Sequence, residues 1–137
     1  MAKILLIDEN IYMCRMIKTS LIIEGHDVSI AMNGQKGLEQ ARKEKPEIIF
    51  IDIIHPVSYG FELCKLLKES DDTKNIPVVI LKSGNEKENR EMAKQAGASD
   101  CLTVPFKAKE ISKIIKKLTK TSPYCKQKKK LKKSEPL

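Results

Sequence analysis

No apolar run in this chain approaches the length needed to cross a bilayer. The opening MAKILLIDEN reaches Asp8 and Glu9 too soon to serve as the apolar stretch of a signal peptide. With neither kind of segment, the expected location is the cytoplasm. The four cysteines, Cys14, Cys64, Cys101 and Cys125, lie far apart with no C-x-x-C pair among them. That spacing fits neither a zinc site nor a secreted disulfide framework and leaves reduced thiols. Histidine is scarce too: His26 and His55 are the whole complement, which argues against a histidine-rich metal site.

What is present is ordinary for a soluble globular domain. The 137 residues suffice for one hydrophobic core and not for two, and hydrophobic and charged residues make up 41% and 32%. The net charge of +8 is unevenly placed. Through Leu118 there are 19 basic against 17 acidic residues, or +2; beyond it 7 lysines face Glu135 alone, or +6. The basic character therefore belongs to the end of the chain.

Short apolar runs alternate with segments of helical periodicity. Lys3-Ile4-Leu5-Leu6-Ile7 reads as a buried strand, and Met13, Met16, Ile17 and Leu21 follow at helical spacing with Gly25 as a terminating cap. His26 to Ala31 reads as a second strand, and Asn33-Gly34 turns into a helix from about Gln35 to Glu44, ended by Pro46. Glu47 to Asp52 is the clearest central strand, continuously apolar and β-branched, and it ends on an acid. Phe61–Glu69, Pro77–Leu81, Glu86–Ala96 and Cys101–Thr103 continue the alternation. The last helix carries Ile111, Ile114, Ile115 and Leu118 as a core-facing stripe. Five strand–helix repeats imply an α/β fold, a doubly wound parallel five-stranded sheet with helices on both faces. In such folds ligands sit beyond the carboxyl ends of the strands. There the first strand ends in Asp8-Glu9, the third in Asp52, and the fourth in Lys82-Ser83.

Any one of these acids alone reads as a solvent-facing or helix-capping residue. Three converging carboxylates repel one another and are costly to assemble unless a cation shares the site. Oxygen-only ligation favours a hard ion, magnesium above all. Such an ion could neutralise an incoming phosphoryl group while a neighbouring carboxylate attacks phosphorus to form an aspartyl phosphate.

These motifs, in this order and spacing, resemble the receiver domain of two-component response regulators. The resemblance runs from about Lys3 to Leu118 and rests on KILLIDEN, on PEIIFIDIIHPVSYGFELCK, on NIPVVIL and on QAGASDCLTVPF. It implies a flavodoxin-like (βα)5 fold with strand order 2-1-3-4-5. It also implies that Asp52 is the phosphoacceptor, and that Asp8, Glu9, Asp52 and the backbone carbonyl of Ile54 hold Mg2+. The donor would be a histidine kinase, a phosphotransfer protein or a small acyl phosphate. A downstream protein would dock on the face of the fourth and fifth helices. Such a domain is a signalling module rather than an enzyme, with at most Mg-assisted self-phosphorylation and autodephosphorylation. The proline of Val104-Pro105 is one that a cis peptide often precedes in the family.

Three positions depart from the family pattern. Where receivers carry a threonine or serine after the fourth strand, this chain has Lys82. Where they carry a phosphate-pairing lysine before the proline, it has Val104, and the aromatic switch position is Cys101. Lys82 is therefore the candidate replacement for the missing lysine, reaching back to Asp52 or pairing with it permanently. His55 reads as a loop histidine. Residues 1–118 form the expected receiver domain, and residues 119–137, TKTSPYCKQKKKLKKSEPL, a basic tail expected to be disordered. The tail suits weak, salt-sensitive contact with anionic surfaces at most. With no output domain following, the chain reads as a stand-alone response regulator acting through protein contacts. The competing reading is a phosphate-independent pseudo-receiver, which keeps the fold and binds a partner without Asp52 chemistry.

Overall fold

The computed structural model of the protein describes residues 1–53 and 59–120. The strands are β1 (Lys3–Ile7), β2 (Asp27–Ala31), β3 (Ile48–Ile53), β4 (Val78–Ser83) and β5 (Asp100–Val104). The helices between and after them are α1 (Ile11–Ile23), α2 (Gly34–Glu44), α3 (Tyr59–Glu69), α4 (Glu86–Gln95) and α5 (Ala108–Lys120). The strands form one parallel sheet in the order β2-β1-β3-β4-β5, as the resemblance implies.

The continuous apolar runs follow from a sheet covered on both faces. Successive side chains of a strand point to opposite faces, so each central strand feeds two cores. Leu5, Ile7, Ile49, Ile51 and Ile80 join one cluster with Ala41 of α2, Leu63 and Leu67 of α3, and Ala93 of α4. Ile4, Leu6, Ile48, Phe50 and Val79 join the other, with Cys14, Ile17 and Leu21 of α1 and Ile111, Ile115 and Leu118 of α5. Ile114 is the one member of the expected α5 stripe that is only partly buried, packed against the rim of that second cluster.

Helix boundaries follow local chemistry. Asn10 caps α1 by accepting from the amides of Tyr12 and Met13, and Asn33 and Asn85 cap α2 and α4 in the same way. Gly25 and Gly97 follow α1 and α4 with φ of 91° and 86°, a backbone region that costs glycine nothing. Strands β4 and β5 run further than their apolar residues suggest, because Lys82 pairs with Ile53 and Thr103, and Ser83 with Val104. Helix α3 begins two residues earlier than its apolar pattern, at Tyr59, and α5 extends two residues past Leu118. The Val104–Pro105 peptide is cis. Cys14, Cys64 and Cys101 are free and buried. No helix of the described residues is long and apolar enough to cross a membrane.

The register of β1 against α2 is tight. A Cβ on Gly37 would come within 2.5 Å of Ile7 Cδ1 and 2.8 Å of Ile7 Cγ1, both inside the core. Glycine inside a helix normally costs about 1 kcal/mol relative to alanine, so an alanine that fitted would be stabilising. Here overpacking wins: Gly37→Ala is expected to lower stability by about 1–3 kcal/mol. The check is the urea midpoint, which falls while the denaturant slope stays constant.

Candidate functional site

The chain's sheet changes winding direction at β1, whose neighbours are β2 on one side and β3 on the other. Connections that leave in opposite directions open a crevice above the carboxyl ends of these strands. Asp8 follows β1 there, and Asp52 is the penultimate residue of β3. Both line one cleft of about 140 Å3 with Glu9, Asn33, Gly34 and Tyr59.

Asp8 is almost fully buried, at 1% exposure. Its Oδ1 accepts the amide of Asn10 at 2.8 Å, while its Oδ2 is buried with no hydrogen-bond partner. Its carboxyl approaches that of Asp52 closely enough for one proton to be shared between them. Two ionised carboxylates cannot bond to each other, since neither donates, so Asp8 Oδ2 stays orphaned unless a proton or a cation lies between the groups. Burial, followed by the neighbouring Asp8, pushes the Asp52 carboxyl up to about 8. Burial also raises Asp8, but its bonds from Asp52 and the Asn10 amide favour the ionised form.

Glu9 lines the same cleft as the buried pair. It is exposed at the rim of the cleft, because the residue after an inward-facing acid turns outward. Among the described residues no group of three His, Cys, Asp or Glu side chains is placed to hold a metal ion. Two carboxylates still fit magnesium, which keeps several waters and is commonly held by one or two acids. The orphaned Asp8 Oδ2 and the all-oxygen donor set suit such a hard cation, with Asp8 and Asp52 as its holders and Glu9 within the same cleft. The carbonyl of Ile54 and the His55 side chain lie outside the described residues.

The Lys82–Asp52 contact expected from the sequence is not formed. The Lys82 ammonium donates instead to the Ser83 carbonyl at 3.3 Å and makes no ion pair with Asp52. The register explains this: Asp52 pairs with Leu81 and Ile53 with Lys82, so alternation sends the Lys82 side chain off the opposite face. Val104 packs against the second core cluster, an apolar wall where the family pattern has a cation. Cys101 is buried in the first cluster, and its thiol is pushed up to about 11 by burial.

Two contributors escape a reading of the sequence. Asn89 of α4 is buried and donates to the carbonyls of Lys82 and Ser83, holding the end of β4. Its only sequence signal is a polar residue on the inward face of a short helix. Tyr59 lays its ring over Gly34, where a Cβ would fall 2.9 Å from the Tyr59 hydroxyl oxygen, and so walls one side of the cleft. Nothing in its spacing announces that.

The parallel α/β fold of strand order 2-1-3-4-5, with a buried acid pair at its switch point, places the chain in the class of flavodoxin-like domains. The comparisons narrow this class to a family. Residues 4–116 match the model of the response regulator receiver domain, and the chain belongs to that family. It is 33% identical to the response regulator PleD of Caulobacter vibrioides over 87% of its own length, yet it spans 26% of that protein. It is 34% identical to protein PilH of Pseudomonas aeruginosa, covering 84% of the chain and 95% of PilH. The chemotaxis protein CheY4 of Vibrio cholerae superposes with a TM-score of 0.77 at 29% identity, over 86% of this chain and 98% of that one. The chain is thus a response regulator receiver domain of two-component signalling.

The acid pair makes stability depend on pH in an unusual direction. Asp52 holds its proton up to about 8 in the folded chain but only to about 3.8, the ordinary value, when unfolded. Between those values the native state binds more protons than the unfolded one, so stability falls as pH rises through that window. Without divalent cations, Asp52→Asn should abolish this decline and be more stable than the wild type at pH 8. Thermal melts of both proteins from pH 4 to pH 9 check it; parallel profiles would count against the shared proton.

Proposed function

We propose that this chain is a phosphoryl-accepting response regulator, with Asp52 as the acceptor. The observation that carries the reading is the buried pair of Asp8 and Asp52 at the switch point, with Asp8 Oδ2 lacking any partner. A buried carboxylate left unsatisfied costs stability, so its retention fits a ligand that completes it. A carboxylate oxygen of Asp52 forms the new O–P bond as the P–N bond of a phosphohistidine breaks and the departing imidazole takes up a proton. A small acyl phosphate serves likewise, its carboxylate leaving. Magnesium, when bound, would offset the charge on the phosphoryl oxygens. Asp8 keeps its own charge beside that ion through the Asn10 amide.

The donor is a histidine kinase or phosphotransfer protein, and output passes to a protein docked on the face of α4 and α5. Exposed Met92 on α4, at 40% exposure, supplies an apolar contact there. Lys82 is the one cation at the carboxyl end of β4 within the described residues, and its hold on the Ser83 carbonyl is exposed and weak. To stand in for the missing lysine, its long side chain would have to fold around the end of β4 from the opposite face.

A second reading has observations of its own. Val104 packs as core and Lys82 rests away from Asp52, so neither the usual cation nor the usual hydroxyl awaits a phosphoryl group. A pseudo-receiver that binds partners without phosphate would look the same at these positions.

Intact mass separates the two readings. With magnesium and a small acyl-phosphate donor, the wild type should gain one hydroxylamine-labile phosphoryl group that Asp52→Asn does not. Lys82→Ala should form the adduct at least tenfold more slowly, a barrier higher by about 1.4 kcal/mol. No adduct on the wild type would transfer the conclusion to the pseudo-receiver.

A further inference from the structure

We propose that the groove between α5 and the amino-terminal edge of the sheet binds the phosphate backbone of a nucleic acid. The groove, about 690 Å3, is lined by Ala2, Glu24 and His26 on one side and by Lys109, Lys113 and Lys116 on the other. It lies before the first residues of β1 and β2, at the opposite end of the strands from Asp52. Its occupation and that of the acid pair are therefore sterically independent, and the inference does not rest on the phosphoacceptor reading.

The three lysines are exposed and stand at i, i+4 and i+7, one stripe of the helix. At 1.5 Å per residue they span about 10 Å along the axis. A nucleic-acid strand presents one phosphate per about 3.4 Å of duplex axis, so the stripe faces about three phosphates. None of the three makes an ion pair among the described residues. The one acid in the groove is already engaged: Glu24 accepts from Ser112 Oγ at 2.5 Å and lies 3.7 Å from His26 Nε2. The His26 imidazole is kept neutral by its burial and accepts the Ala2 amide, so it adds no charge of its own.

Helix stability does not account for the stripe. Cations favour the last turn of a helix, but Lys113 and Lys116 lie before it and Lys109 stands in the first turn, where the dipole opposes it. The surface is concave, which suits a strand of phosphates better than the plane of a membrane. It carries no exposed aromatic ring for stacking on bases, so contact is with the backbone and independent of sequence. The chain beyond α5 continues the charge with Lys126, Lys128, Lys129, Lys130, Lys132 and Lys133.

The test uses the full chain and a fluorescein-labelled 20-nucleotide duplex, with anisotropy read across a series of salt concentrations. The wild type should bind with a steep salt dependence. The Lys109→Gln/Lys113→Gln/Lys116→Gln variant, its fold verified by circular dichroism, should bind on the order of tenfold more weakly at low salt. Its slope of log affinity against log salt should be shallower by about 2 to 3. A control triple, Lys43→Gln/Lys65→Gln/Lys87→Gln, removes equal charge elsewhere and should leave more of the slope intact. Equal losses in both triples would reduce the effect to net charge and overturn the proposal. So would an unchanged slope in the groove variant, the absence of duplex binding by the wild type, or groove-dependent capture by phosphatidylserine vesicles without duplex binding.

Discussion

Two carboxyl groups, those of Asp8 and Asp52, meet in a half-buried crevice where each has more acceptor oxygens than its neighbours have donors. Placing such groups together is unfavourable twice over, through lost hydration and through repulsion. The rest of the fold supplies the means. Strand β1 ends beside β3 because both are buried on two faces and hydrogen-bonded in register, Ile7 opposite Ile51. Gly37 lets α2 approach Ile7, and the Asn10 amide fixes the orientation of Asp8. The sheet thus holds the acids at a separation that free chains would avoid, and a proton or a cation is what relieves it.

Around this acid pair the ordinary apparatus of response has been rebuilt. Val104 continues the apolar core to the edge of the crevice, and Cys101 fills a buried position with a small inert thiol. Lys82 lies at the end of β4, its ammonium turned to the Ser83 carbonyl, and Asn89 anchors the carbonyls of both residues to α4. The acceptor end of the chemistry and its readout are therefore separable: the first depends on the ends of β1 and β3, the second on the ends of β4 and β5 and the loops leaving them.

Much of the fold was legible because a two-faced parallel sheet demands continuous apolar strands, and KILLI and IIFIDI have no other good use. One helix start was marked by Asn33-Gly34 and one helix end by Gly25. The strand ends were less legible. Lys82 and Ser83 are polar, and they belong to β4 through ladder pairing with β3 and β5, which no local propensity encodes. In the site, Asp8 and Asp52 could be placed from the strands they end. The direction of Lys82 could not, because residue order brings a side chain to the sheet edge while pleat alternation decides its direction. Tyr59 and Asn89 reach their partners across elements, which one sequence does not reveal.

Burial and the neighbouring Asp8 raise the Asp52 carboxyl, so a cation that binds the pair must displace its proton. Titration calorimetry of the wild-type chain with magnesium at pH 7, repeated in two buffers of different ionisation enthalpy, measures that displacement directly. With Asp52 raised to about 8, binding should release close to one proton per ion, and Asp52→Asn should release none. Magnesium binding with no proton release, or release undiminished in Asp52→Asn, would contradict it.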